Sequence, residues 1–212
     1  MRSSRLAWLV ACALLLLPGA ARAERRRAAP SRGFTASERD TLVAGGTVSR
    51  PVRFERGQDG SYIGGVSYQV VRATPSAVIA ALASIENLPR ALPRTESATL
   101  VRSAGRTATV ELTQGKAPFL VTYSVNLEQA EAGNALRFWL DPSRPHDVRD
   151  VWGFVRVTPF GSGASLVTLA VALDIGPGIA RALFTDRIER MILRAPAKIR
   201  EYVEPMRLTS AR

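Results

Sequence analysis

Between Thr107 and Leu173 an apolar residue falls on about every second position in five successive stretches. Ala108, Val110 and Leu112 alternate with threonines and Glu111, and Phe119, Val121, Tyr123, Val125 and Leu127 follow after a turn at Gly115. Then come Leu136, Phe138 and Leu140, next Val151, Val155 and Val157, and last Val167, Leu169, Val171 and Leu173. Successive side chains of a strand point to opposite faces, so this spacing predicts antiparallel strands sharing one buried apolar face. Turn-forming clusters such as Ala132-Gly133-Asn134 and Gly161-Ser162-Gly163 separate the strands, which predicts a meander of sequence neighbours. A sheet with one apolar face needs a cover.

The cover comes from the end of the chain. After Gly176-Pro177-Gly178, read as a hinge rather than an anion site, Ile179, Leu183, Ile188, Met191, Ile192, Ala195, Ile199 and Val203 lie mostly on one helical stripe. Asp186, Arg187, Glu189, Arg190 and Arg200 lie mostly off it. Pro196 predicts a kink, because it deletes a helical hydrogen bond, and Pro205 is expected to close the helix.

Upstream, Phe34 to Ala44 reads as a short amphipathic helix capped by Thr35 or Ser37, with Leu42 and Val43 as its apolar side. Thr47 to Phe54 reads as an edge strand, since Pro51 removes a ladder donor; Gln58-Asp59-Gly60 is a turn and Tyr62 to Arg72 a strand. Thr74-Pro75 is a helix start, a capping hydroxyl followed by proline in the first turn, with Val78, Leu82 and Ile85 at helical spacing behind it. That helix is expected to stop near Asn87-Leu88-Pro89, and Pro93 limits anything beyond it to a single turn.

The N-terminal segment has the layout of a secretory signal peptide: Arg2 and Arg5, an apolar run from Leu6 to Leu17, then Ala21-Arg22-Ala23 with cleavage before Glu24. The run is shorter than the roughly 20 residues a membrane-spanning helix needs. Leu9-Val10-Ala11-Cys12 resembles a lipoprotein box, but Cys12 falls inside the apolar run rather than ending it, so soluble export to the periplasm or beyond is favoured over a lipid anchor. Loss of Cys12 would leave a mature chain without thiols, whose core must hold the fold without disulfides.

The formal charge is +11, and losing three arginines with the signal lowers it to +8. Lys116 and Lys198 are the only lysines. Such a basic surface suits peripheral contact with anionic lipid headgroups. Nucleic acid is not an expected partner, because the arginines are scattered and match no recognised module. Arg25-Arg26-Arg27 lies in an Ala-, Pro- and Ser-rich leader that reads as a solvated tail. The oligomeric state has no signature in the sequence.

The segment "FWLDPSRPHD" holds the chain's single histidine, His146, beside Asp141 and Asp147. Asp141-Pro142-Ser143 is turn chemistry, and Pro145 cannot continue a ladder, so the segment reads as a strand-to-strand connection whose aspartates fold back onto backbone amides. A polar contact at a cavity mouth is the alternative. Catalysis lacks a nucleophile partner for His146, a metal site lacks a second imidazole or a calcium-loop pattern, and no cofactor motif occurs.

The stretches "ATPSAVIAALASIENLPRALPRTESATLV" and "GFVRVTPFGSGASLVTLAVALDIGPGIARALF" resemble the START-like superfamily, also called Bet v 1-like or SRPBCC. The first looks like that superfamily's passage from first strand through paired helices to second strand. The second is similar to its last two strands and the start of the long helix. The resemblance covers about Gly64 to Glu204, and among subgroups it is similar to the polyketide cyclase/dehydrase and lipid-transport type, coenzyme Q-binding proteins included. It implies an α+β helix-grip fold, a curved antiparallel sheet wrapped around a long C-terminal helix with two short helices after the first strand. It also implies a cavity for an apolar small molecule between sheet and helix. The chain then divides into signal peptide (1–23), basic leader and N-terminal extension (24–58), START-like domain (59–205) and tail (206–212).

The inward sets are large and nearly uncharged, as an apolar pocket requires, although the same residues would equally fill a solid core. The candidate ligand-binding residues are Leu112, Val121, Tyr123, Phe138, Gly153, Val155, Leu169, Leu183, Ile188 and Met191. Tyr123 offers a polar tip, Met191 an adaptable surface, and Gly153 either room for a ligand or a bulge. Trp139 and Trp152 have the opposite parity and are expected to pack under the leader strand. The expected function is an exported carrier of a lipid, quinone or similar molecule. An enzyme using the same cavity, of cyclase, aromatase or hydrolase type, is the alternative, with Tyr123, Arg94 and His146 as the defensible polar groups. A partner-binding scaffold with a collapsed cavity is the third reading.

Overall fold

The alternation seen in the sequence becomes one antiparallel sheet. A computed structural model describes residues 33–57, 60–117 and 119–210. Its strands are β1 (Thr47–Arg56), β2 (Gly60–Val71), β3 (Thr95–Ala104), β4 (Thr107–Lys116), β5 (Phe119–Gln129), β6 (Ala135–Leu140), β7 (Asp150–Pro159) and β8 (Ser165–Asp174). They lie in the order β1-β2-β8-β7-β6-β5-β4-β3. From β3 to β8 the chain is a plain meander. β2 instead pairs with β8, so the helices α2 (Pro75–Ala83) and α3 (Leu88–Ala91) carry the chain across to the far edge of the sheet. Part of the Gln58-Asp59-Gly60 turn lies outside the described residues. The architecture is the α+β helix-grip arrangement that the resemblance implied.

β1 holds the edge, and Pro51 sits in it opposite Gly65. The N-terminal extension therefore contributes a strand to the sheet, and the compact unit starts at Phe34 rather than at residue 59. Helix α1 (Ala36–Val43) precedes it. Thr35 is its cap: the hydroxyl accepts the Glu38 amide, and the Glu38 carboxylate accepts the Thr35 amide in return. Glu38 also receives the Arg50 guanidinium, and these bonds hold its carboxyl below the ordinary value. Leu42 is buried, but Val43 is 70% exposed, which corrects its expected place on the apolar side.

The concave face carries the residues that parity assigned to it. Val157 lies opposite Val167, Val155 opposite Leu169, and Val151 opposite Leu173. Two glycines let β2 bend: Gly64 and Gly65 have φ of +147° and +135°, and a side chain on either would strike backbone of β8 or β1.

Helix α2 starts as expected, with the Thr74 hydroxyl accepting the Ala77 amide, but it ends at Ala83, earlier than the sequence suggested. Ser84 is extended, which ends α2, and a 3-10 turn over Ile85–Asn87 and the single turn of α3 follow, with Pro89 in the first turn of α3. The C-terminal cover is two helices, α4 (Ile179–Leu193) and α5 (Ala195–Ser210). Pro196 breaks the helix completely at Arg194 and sits in the first turn of α5, where its missing amide costs nothing. Pro205 does not close α5. It removes one donor on an exposed side, facing the exposed Glu201, and the ladder resumes beyond it to Ser210.

Ile199 and Val203 of α5 pack with Val71, Val78, Leu82, Val157 and Val167 as one end of the core. The helices are tied down by polar contacts at the β1 edge. Arg53 donates to Glu189 at 2.7 Å and reaches Asp186 of α4, while Arg200 of α5 donates to the Gly45 carbonyl. Tyr202 donates to Asn87 beside α3.

Replacing Gly65 by alanine should destabilise the fold by about 1–3 kcal/mol, the usual cost of a disfavoured backbone conformation. Ile199→Ala, at a fully buried position, should cost about 2–5 kcal/mol. Urea denaturation followed by circular dichroism measures both, and a midpoint unchanged in either variant would contradict the packing described.

Candidate functional site

The apolar faces of sheet and helices do not meet everywhere. Between them lies a cavity of about 530 Å³, within the size range of small-molecule sites. β4, β5, β6, β7 and β8 supply one wall. Leu88 and Leu92 supply the roof, and α4 with the start of α5 closes the remaining side.

The cavity has two unlike ends. Leu82, Leu136, Val155, Leu169, Ala195 and Ile199 line the closed end, and every one is buried and apolar. At the other end the β4–β5 hairpin meets α4, where the Phe119 and Phe184 rings lie 5.5 Å apart. Arg94, Lys116, Phe119, Asp147 and Arg187 line this end and are exposed, so it is the mouth.

Tyr123 stands between the two ends. Its side chain is buried, and its hydroxyl donates to Gln114 Oε1 at 2.5 Å; Gln114 Nε2 in turn donates to Thr95 Oγ1 at 2.7 Å. Burial pushes the phenol well above its ordinary pKa, so at physiological pH it is a neutral hydrogen-bonding group.

Of the residues singled out in the sequence, Leu112, Val121, Tyr123, Phe138, Val155, Leu169, Ile188 and Met191 lie on the cavity wall. Two do not. Leu183 is 69% exposed and absent from the wall. The residue four positions before Ile188, on the same helix face, is Phe184, whereas a spacing of five leads away from that face. Gly153 leaves no space for a ligand, because a side chain there would lie 2.6 Å from the Phe138 ring and would strike the Ala170 carbonyl oxygen. Phe138 and the β8 backbone occupy the room that glycine gives.

The segment around His146 is a turn. Asp141 accepts the Ser143 amide and hydroxyl, which hold its carboxyl below the ordinary value, and Asp147 accepts the Thr122 amide at 2.7 Å. His146 Nδ1 lies 2.7 Å from the Val148 carbonyl, and the ring is not on the cavity wall. Trp152 packs edge-on against Phe54 of β1 on the convex face, while Trp139, opposite it across β6 and β7, is 39% exposed.

Sequence reasoning missed Gln114, Lys116 and Arg187. Extending the alternation of β4 two more steps past Leu112 reaches Gln114 and Lys116, and Arg187 lies one turn before Met191 on α4. Arg94 reads in the sequence only as a possible enzymatic group. Its φ of +51° and the bond from the Gly115 amide to its carbonyl at 2.8 Å place it at the mouth.

A curved sheet gripping a helix around an apolar cavity defines the START-like class of binding folds. The chain belongs to the polyketide cyclase / dehydrase and lipid transport family, whose model matches residues 65–204. Among curated proteins none matches the sequence. Solved structures share the fold at low identity. A Thermus thermophilus protein is 17% identical with a TM-score of 0.59, over 69% of this chain and 98% of that one. The Zhui aromatase/cyclase from Streptomyces sp. R1128 is 14% identical with a TM-score of 0.57, over 78% and 97%. A STAR-related lipid transfer protein from Xanthomonas axonopodis is 12% identical with a TM-score of 0.56, over 72% and 98%.

A charge placed on the wall should empty the cavity of apolar guests, because a buried unpaired cation is strongly unfavourable. Met191→Arg should weaken binding of the neutral fluorophore N-phenyl-1-naphthylamine by about tenfold or more, since a shift of about 1.4 kcal/mol already gives that factor. Leu183→Arg, off the wall, should leave binding unchanged. Equal behaviour of the two variants in fluorescence titration would remove the cavity from consideration as the site.

Proposed function

We propose that the chain is an exported protein that binds and carries a hydrophobic small molecule, of lipid or quinone type, in the cavity between sheet and helix. The observation that carries this reading is the cavity itself: about 530 Å³, apolar throughout its closed end, with one hydroxyl partway along it. Burying apolar ligand surface there supplies affinity at roughly 25 cal/mol per Å², and Tyr123 can orient a polar atom of the guest. Membership of a family that spans lipid transport, and likeness in fold to a STAR-related lipid transfer protein, support the same reading. Export rests on the pattern from Arg2 to Ala23, and peripheral contact with anionic membrane on the basic charge.

A reaction in the same cavity is the second reading, favoured by likeness to an aromatase/cyclase. Of the polar groups named for it in the sequence, Tyr123 and Arg94 line the cavity and His146 does not, and the Tyr123 hydroxyl is already bonded to Gln114.

Expression of the full chain in a bacterial host, followed by native mass spectrometry of the exported fraction, tests the proposal. The expected species starts at Glu24 and carries one apolar molecule, which organic extraction releases and identifies. A chain that keeps residues 1–23 in the cytosol would overturn export. A bare protein that also fails to take up N-phenyl-1-naphthylamine would overturn the carrier reading.

A further inference from the structure

Among the described residues, three cations stand at the cavity mouth outside any ion pair. Among the described residues, Arg94, Lys116 and Arg187 have no carboxylate partner, although other arginines nearby are paired: Arg53 with Glu189 and Asp186, and Arg144 with Glu111. Asp147, the single acid on the wall among the described residues, accepts the Thr122 amide at 2.7 Å. The three cations come from separate elements: the α3–β3 loop, the tip of the β4–β5 hairpin and α4. Such convergence is not a by-product of one basic stretch.

Arg94 adds a second observation. It is the only non-glycine residue with positive φ among those described, a conformation that glycine or asparagine adopts at less cost. Its backbone is pinned by the Gly115 amide, which fixes the start of its side chain beside the hairpin tip.

From this arrangement, and resting on the cavity reading above, we infer that the guest is an amphiphile with an acidic head group. Its apolar body fills the closed end, and a carboxylate or phosphate sits at the mouth against Arg94, Lys116 and Arg187. The direction follows from the lining. The closed end holds no polar side chain, so a charged head placed there would lose its hydration without compensation. At the mouth the head keeps water and gains charge-assisted hydrogen bonds from guanidinium and ammonium groups. Between the two ends, the oxygen of Tyr123 can accept a hydrogen bond from a group on the guest, since its own proton is committed to Gln114.

The test compares dodecanoic acid, dodecyl phosphate and methyl dodecanoate as displacers of N-phenyl-1-naphthylamine from the full chain. The expected result is that acid and phosphate displace the probe at concentrations about tenfold or more below the ester, with an advantage that shrinks as salt is raised. The triple variant R94Q/K116Q/R187Q should lose that advantage while still binding the ester within about twofold, which also verifies its fold, because surface substitutions of this kind cost little stability.

Acid and ester bound equally well by the unaltered chain would overturn the head-group assignment and leave the apolar cavity standing. Failure of all three to displace the probe would overturn the assignment together with the carrier reading. Phosphatidylglycerol vesicles supply the remaining arm. Sedimentation of the unaltered chain with them, lost in the triple variant and joined to equal binding of acid and ester, would assign the cations to a lipid surface instead.

Discussion

The concave face of the sheet is wider than one helix can cover. Eight strands at about 4.8 Å spacing would extend roughly 34 Å if flat, and a helix with its side chains is about 10–12 Å across. Curling brings the edges toward the helix, helped at β2 by Gly64 and Gly65, and much of the remaining gap is closed by α2 and α3. Away from its mouth, what stays uncovered is lined by the same apolar residues that drive the sheet to bury its face. The cavity is thus a geometric remainder of the packing, and its walls are apolar because they are core residues in composition.

The cover stays in place through contacts at its ends together with Ile188 and Ile192 of α4, which pack against the core. Arg53 latches α4 to the β1 edge, Arg200 fastens α5 to the Gly45 carbonyl, and Ile199 and Val203 anchor α5 in the closed end of the core. Between these points, the break at Arg194 divides the cover where it passes the cavity, and Ala195 on the wall takes up little room there. A straight helix carrying large residues would have filled more of this space. Division of the cover and retention of the void are parts of one arrangement.

Strand parity was legible because it depends only on the chain's own alternation. Tyr123, Val155 and Leu169 could be assigned to the concave face without knowing their neighbours. Helical phase was legible more coarsely. Over a long stripe, an error of one residue turns a side chain by about 100°, which is how Leu183 was placed on the wall in place of Phe184. Gly153 was ambiguous for another reason: the absence of a side chain does not say what fills the space, and here Phe138 from the adjacent strand does. Arg94 and Arg187 gave little sign of their position, since an arginine in a loop or on a helix flank reads the same at a cavity mouth as elsewhere on the surface.

Local rules in the sequence determined every strand but β3, which came only through the family resemblance, and also which face is apolar, where helices begin, and that the C-terminal segment must cover the sheet. These follow from side-chain alternation, capping chemistry and proline's missing amide, all decided within a few residues. The tertiary structure alone decided the size of the cavity, that Arg94, Lys116 and Arg187 meet at its mouth, and that β2 pairs with β8. Those outcomes depend on contacts between distant parts of the chain, and the β2–β8 pairing joins residues about a hundred positions apart. No local pattern specifies the distance between two surfaces that only the closed fold brings face to face.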